Sequence, residues 1–153
     1  MTPRQQAALR AAAGALGRRD LTRAELRDAL AGAGTDAEDA DWACDWLAGQ
    51  GLVDDRRVAE REVELGARAK GWGRAKLEAR LGARGAEPAA AAEALASLDE
   101  GTEAALALQA LRKRPGRHRP DSAARFLASR GFTEGAVRSV LDQEFPGWEE
   151  GAD

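Results

Sequence analysis

Residues able to carry out chemistry are few in this chain, and they are dispersed. Its one histidine, His118, lies in the basic run Arg112-Lys113-Arg114-Pro115-Gly116-Arg117-His118-Arg119-Pro120, which reads as a solvated loop. A general base needs an oriented partner, and a solvated loop offers none. The one cysteine, Cys44, shares an apolar stripe with Ala40, Ala43 and Leu47, which reads as a buried structural thiol rather than a nucleophile. The acid pairs Asp54-Asp55 and Glu149-Glu150 have no histidine or cysteine at metal-ligand spacing. Gly71-Trp72-Gly73 supplies two glycines but no preceding strand, and no phosphate-binding GxxxxGK[ST] motif occurs. The expectation is a protein without catalytic residues, metal or cofactor.

Surface-forming residues carry more information. Arg68, Lys70, Arg74, Lys76, Arg80 and Arg84 succeed one another with Glu78 as the only acid between them, and the 112–119 run adds Arg112, Lys113, Arg114, Arg117 and Arg119. If repeated units stack in an arc, both clusters can line one positive groove, although the whole chain has a formal charge of −3. Trp42 and Trp46 lie on the helix face opposite the Ala40–Leu47 stripe. They can pack on a neighbouring helix or anchor a protein partner, since Trp and Arg are enriched where proteins meet.

The elements that must position these residues are helices in a repeated plan. Gly34, Gly85 and Gly131 each follow a leucine by four residues, namely Leu30, Leu81 and Leu127. After each glycine, apolar residues recur at helical spacing: Ala40, Ala43, Cys44 and Leu47, then Ala91, Ala94, Leu95 and Leu98, then Val137, Val140 and Leu141, with Glu144 breaking the third series. Three helix-glycine-helix repeats follow. Thr22 and Glu25 form a capping box with Leu21 stapled to Leu26, and Trp72–Leu77 and Phe132–Val137 repeat the staple. Thr35 with Glu38 predicts another capping box. One helix is predicted over 55–69, another from Pro88 to Leu98, and another from about Thr102 to Arg114. The expected fold is all-α: three-helix units at 1–53, 54–100 and 101–146, strung into an elongated, curved molecule, with a disordered acidic tail at 147–153.

Of 153 residues, 44% are hydrophobic and only 5% aromatic, a composition suited to closely packed helices with small cores. A single cysteine excludes an intramolecular disulfide framework. No apolar run approaches a membrane span, and Met1-Thr2-Pro3-Arg4 lacks a secretory apolar core, so the expectation is a cytoplasmic monomer with no membrane partner.

Four stretches in order resemble the RecX family of bacterial recombinase regulators: Thr22-Arg23-Ala24-Glu25-Leu26; Gly51-Leu52-Val53-Asp54-Asp55-Arg56-Arg57-Val58-Ala59; Lys70-Gly71-Trp72-Gly73 followed by Leu77, Leu81 and Gly85; and Phe126-Leu127-Ala128-Ser129-Arg130-Gly131-Phe132. The resemblance spans roughly residues 7 to 145. Val58 stands where that family usually has an aromatic, and Arg84-Gly85 where it has Lys-Gly. It implies a protein that binds the RecA nucleoprotein filament along its groove and inhibits RecA's ATPase, strand-exchange and co-protease activities. Some family members also bind DNA, so a DNA-binding helical protein is the alternative expectation, and a helical scaffold for another client is a third.

Overall fold

A computed structural model describes residues 1–148, and of the tail expected to be disordered at 147–153, residues 149–153 lie outside the described residues. Nine α-helices and no strand occur among them: α1 (Pro3–Leu16), α2 (Arg23–Gly32), α3 (Ala37–Gly49), α4 (Asp55–Glu64), α5 (Arg74–Ala83), α6 (Pro88–Leu95), α7 (Glu100–Lys113), α8 (Pro120–Ser129) and α9 (Glu134–Glu144). The chain is all-α and built from repeated three-helix sets, as the spacing predicts. Two compact units form among the described residues, one of residues 1–60 with 81–92, the other of residues 61–80 with 93–148.

In the first unit α1, α2 and α3 pack pairwise around Ala8, Ala12, Leu26, Leu30, Ala43, Cys44 and Leu47, all buried. The Ala40–Leu47 stripe therefore faces inward. In the second unit α7, α8 and α9 pack pairwise around Ala107, Leu111, Leu127, Phe132, Ala136 and Val140. Glu144, which breaks the third apolar series, pairs with Arg112 at 2.9 Å instead of entering the core. Trp148 packs on this core and donates its indole N–H to Asp142 at 2.8 Å.

The three glycine turns share one hydrogen-bond pattern. The N–H following each glycine reaches the carbonyl of the leucine: Thr35 to Leu30 at 2.9 Å, Ala86 to Leu81 at 3.0 Å and Phe132 to Leu127 at 3.1 Å. The glycines take φ of 85°, 70° and 89°, where a Cβ would be strained. Each is a Schellman closure, which satisfies helix carbonyls that would otherwise be orphaned and leaves the leucine buried.

Each unit also clasps one such turn against the start of another helix. In the first, the Thr22 hydroxyl donates to the Arg84 carbonyl at 2.7 Å, and a Cβ on Gly85 would lie 2.7 Å from that of Ala24. In the second, Gly73 N–H donates to the Arg130 carbonyl at 2.8 Å and Ala75 N–H to the Gly131 carbonyl at 3.0 Å. Thr22 and Gly73 each lie twelve residues before the closing glycine of their own helix, Gly34 or Gly85, so the two clasps are equivalent.

One carboxylate secures each clasp. Asp55 accepts from the N–H groups of Arg23 and Glu87, both at 2.8 Å, and so caps α2 and α6 together. Glu103, 2% exposed, accepts from Arg74 N–H at 2.7 Å and from the Thr133 hydroxyl, joining the starts of α5 and α9. Asp54 caps the start of α4, accepting from the N–H groups of Arg56 and Arg57.

Three local expectations are corrected. The Thr35–Glu38 capping box does not form: α3 starts one residue later, at N-cap Asp36, whose carboxylate pairs with Arg4. The predicted helix over 55–69 is α4 followed by a π-helical turn, Leu65–Ala69, in which Leu77 and Trp72 occupy the space a side chain on Gly66 would fill. Helix α6 stops at Leu95, and α7 begins at Glu100 under an Asp99 cap to Thr102 N–H.

Gly73→Ala is expected to destabilise the protein by about 3 kcal/mol, since a Cβ there would lie 2.5 Å from the Gly131 carbonyl carbon. Gly32→Ala, at an open helical position, should stabilise it by about 0.5 kcal/mol. Urea unfolding of both variants checks the contrast. Glu103→Gln should cost about 2 kcal/mol in the same assay, because an amide cannot accept from both donors as a carboxylate does.

Candidate partner-binding surface

Trp72 gathers three of the expected contact residues. Following the staple position, its half-buried ring lies over Gly66, and the charged ends of Lys70, Lys76 and Arg80 stand 4.7, 4.8 and 4.6 Å from its centroid. Lys76 and Arg80 are one four-residue step apart and share a face of α5, and Trp72 stands just before that helix. Cation–π attraction holds these side chains over the ring instead of leaving them splayed in solvent. Glu62 also pairs with Arg80 at 2.7 Å.

A second gathering lies where the π-helical turn, the end of α7 and the end of α8 meet within the second unit. They enclose a pocket of about 260 Å³, with Arg68, Lys70, Lys113, Arg114 and Arg130 among its lining residues and no carboxylate. Half-buried Leu106, Ala110 and Phe126 supply its apolar part. The guanidiniums of Arg114 and Arg130 lie 4.6 and 5.2 Å from the centre of the Phe126 ring. Lys70 belongs to both gatherings. Trp72, Phe126 and Arg130 are not among the contact residues expected from sequence, though Arg130 precedes Gly131 as Arg84 precedes Gly85.

Two expected contact residues are engaged inside the fold. Arg74 donates to the Leu95 and Leu98 carbonyls at 2.7 and 3.3 Å, closing the end of α6. Arg84, in the first unit, donates to both oxygens of Glu25 and to the Asp20 carbonyl. Burial works against the charge on Glu25, yet the Arg84 hydrogen bond, the Thr22 backbone and the nearby Arg84 and Arg19 charges hold its carboxyl below the ordinary range. Of the 112–119 run, Arg112 pairs with Glu144 and Arg119 weakly with Asp121, while no carboxylate among the described residues pairs with Lys113 or Arg117. His118 reaches the Arg114 carbonyl at 3.1 Å through Nε2 and so tightens this loop.

Trp42 and Trp46 stack at 6.5 Å with 27° between their planes. Trp42 rests on the first core, whereas Trp46 stays 40% exposed. Cys44 is fully buried, and burial pushes its thiol up, away from nucleophilic character. Among the described residues no group of histidine, cysteine and acid side chains could hold a metal ion, and no helix is long and apolar enough to cross a membrane.

Residues 8–47 match the family model described as RecX, first three-helix domain. The regulatory protein RecX of Chromohalobacter salexigens is 42% identical over 134 residues, covering 82% of this chain and 85% of that protein. The chain belongs to the RecX family. Regulatory protein RecX of Ralstonia pickettii is 34% identical over 145 residues, covering 91% and 89% of the two chains. The crystal structure of RecX from Lactobacillus salivarius superposes with a TM-score of 0.83 over 94% of this chain and 97% of that one. At 17% identity, that likeness speaks for the fold alone.

The Glu25–Arg84 pair gives the family fold here an acid-sensitive contact. A carboxyl held lower in the folded chain than its ordinary 4.5 contributes stability that is complete above that value and lost as pH falls through the lowered one. Arg84→Ala is expected to lower stability at neutral pH and to flatten its decline in acid, as read by thermal melts across that range.

Proposed function

We propose that this RecX-family chain is a non-enzymatic regulator of RecA that binds the RecA nucleoprotein filament and inhibits its ATPase, strand-exchange and co-protease activities in the cytoplasm. Family membership supports the regulatory role. The observation that supports the mode of binding is the concentration of Lys70, Lys76 and Arg80 on Trp72, with Arg68, Lys113 and Arg114 around the adjoining pocket, in a chain whose overall charge is −3. Overall charge would repel a nucleoprotein; a local cationic surface attracts it and orients the encounter.

The mechanism is steric and electrostatic. A helical protein seated against the filament holds neighbouring protomers away from their catalytic geometry and obstructs duplex DNA and repressor, with no contact to nucleotide. Arg74 and Arg84 act from within, fixing the helices that carry the surface. Trp46, exposed in the first unit, is a second candidate anchor for the same partner.

Lys70→Glu with Lys76→Glu is expected to weaken inhibition of single-strand-dependent ATP hydrolysis by RecA roughly tenfold or more. Trp46→Ala, which removes the second anchor, should weaken it severalfold. A wild-type chain that leaves this hydrolysis unchanged at stoichiometric amounts refutes the proposal. If the double variant instead loses affinity for DNA alone, with steep salt dependence and no need of RecA, direct DNA binding replaces it.

A further inference from the structure

The pocket in the second unit has more positive charge than its own framework requires. Helix C-termini attract cations, and three end here: the π-helical turn at Ala69, α7 at Lys113 and α8 at Ser129. Each carries roughly half a negative charge, about −1.5 in all, against five cationic side chains. Glu64, 3.1 Å from Arg68, offsets one more. An excess of about +2.5 remains without a carboxylate in the lining.

The lining also selects among anions. A phosphate group would engage the cations and leave Leu106 and Ala110 without a role. A nucleic-acid strand gains affinity by stacking bases on free aromatic faces, whereas guanidiniums already cover the Phe126 ring. The volume, about 260 Å³, lies below the roughly 300–1,000 Å³ common for small-molecule sites and suits one or two side chains. We propose that this pocket receives an acidic protein segment, seating a bulky apolar side chain on Leu106 and Ala110 while flanking carboxylates meet Lys113, Arg114 and Arg130. The inference rests on the regulatory reading only for the owner of that segment, a protomer of the filament.

The test uses the full chain and fluorescence anisotropy with a labelled Asp-Glu-Leu-Phe-Glu-Asp peptide, its Asp-Glu-Ser-Ser-Glu-Asp counterpart, and a labelled oligodeoxythymidine. Lys113→Glu and Gln109→Glu each place a carboxylate on an exposed wall position, and unchanged melting temperatures confirm that both variants fold. The Leu-Phe peptide is expected to bind the wild type, and roughly tenfold more weakly each variant; the Ser-Ser peptide should also bind roughly tenfold more weakly. Equal binding of the two peptides, no binding of either, or displacement of the peptide by oligodeoxythymidine with the same variant losses overturns the proposal. The RecA hydrolysis assay separates the two readings. Inhibition by wild type and variants alike defeats the pocket and spares the regulatory role, while a wild type without effect defeats the regulatory role and leaves the peptide result to decide the pocket.

Discussion

A carboxylate shared between two helix N-termini is the constraint on which the rest of this structure depends. Buried negative charge is costly unless hydrogen bonds and opposite charge surround it. Glu103 meets that condition by sitting where α5 and α9 both begin, with the Arg74 N–H and the Thr133 hydroxyl as donors. Two helix starts contribute roughly half a positive charge each, enough to offset one carboxylate. Asp55 does the same for α2 and α6. The arrangement is directional as well as favourable, because moving either helix along its axis would strand a donor. Each clasp thereby acquires a register that apolar packing of alanine and leucine, which tolerates sliding, would not impose.

This register decides what the surface can do. Gly73 and Gly131 permit backbone to touch backbone, and that approach brings the start of α5 against the turn between α8 and α9. Lys70 and Arg130 are thereby brought to one pocket, with the Arg130 guanidinium on the Lys70 carbonyl at 3.3 Å. Trp72 then acts on two sides. Its ring fills the space over Gly66, and it draws Lys70, Lys76 and Arg80 into one group. A π-helical turn next to such a group is consistent with the frequent occurrence of these turns at functional sites.

The sequence reading succeeded where the cause is local. Gly34, Gly85 and Gly131, marked out by their spacing from a leucine, take a left-handed φ that glycine tolerates, and the capping box at Thr22 follows from two side chains three residues apart. Thr2 and Gln5 form a capping box on α1 with the same spacing. Elsewhere a local rule lost to a distant partner. The start of α3 lies at Asp36, whose carboxylate pairs with Arg4, and where the helix beyond α4 widens Leu77 occupies the space a side chain on Gly66 would fill. Neither Arg4 nor Leu77 is near enough in sequence for any pattern at the affected site to reveal its influence.

The arginines divide along the same line. By itself the sequence determined how many cations the middle of the chain carries, which helices bear them and that no acid but Glu78 interrupts them, because composition and helical period are properties of the chain alone. Only the tertiary structure decided which of those cations remain available. A guanidinium is indifferent in sequence to whether it meets solvent, a carboxylate or a helix end, and the outcome depends on what the fold brings within hydrogen-bonding distance. Arg84 found Glu25 and Arg74 found the end of α6, while Lys70, Lys76 and Arg80 found one indole ring.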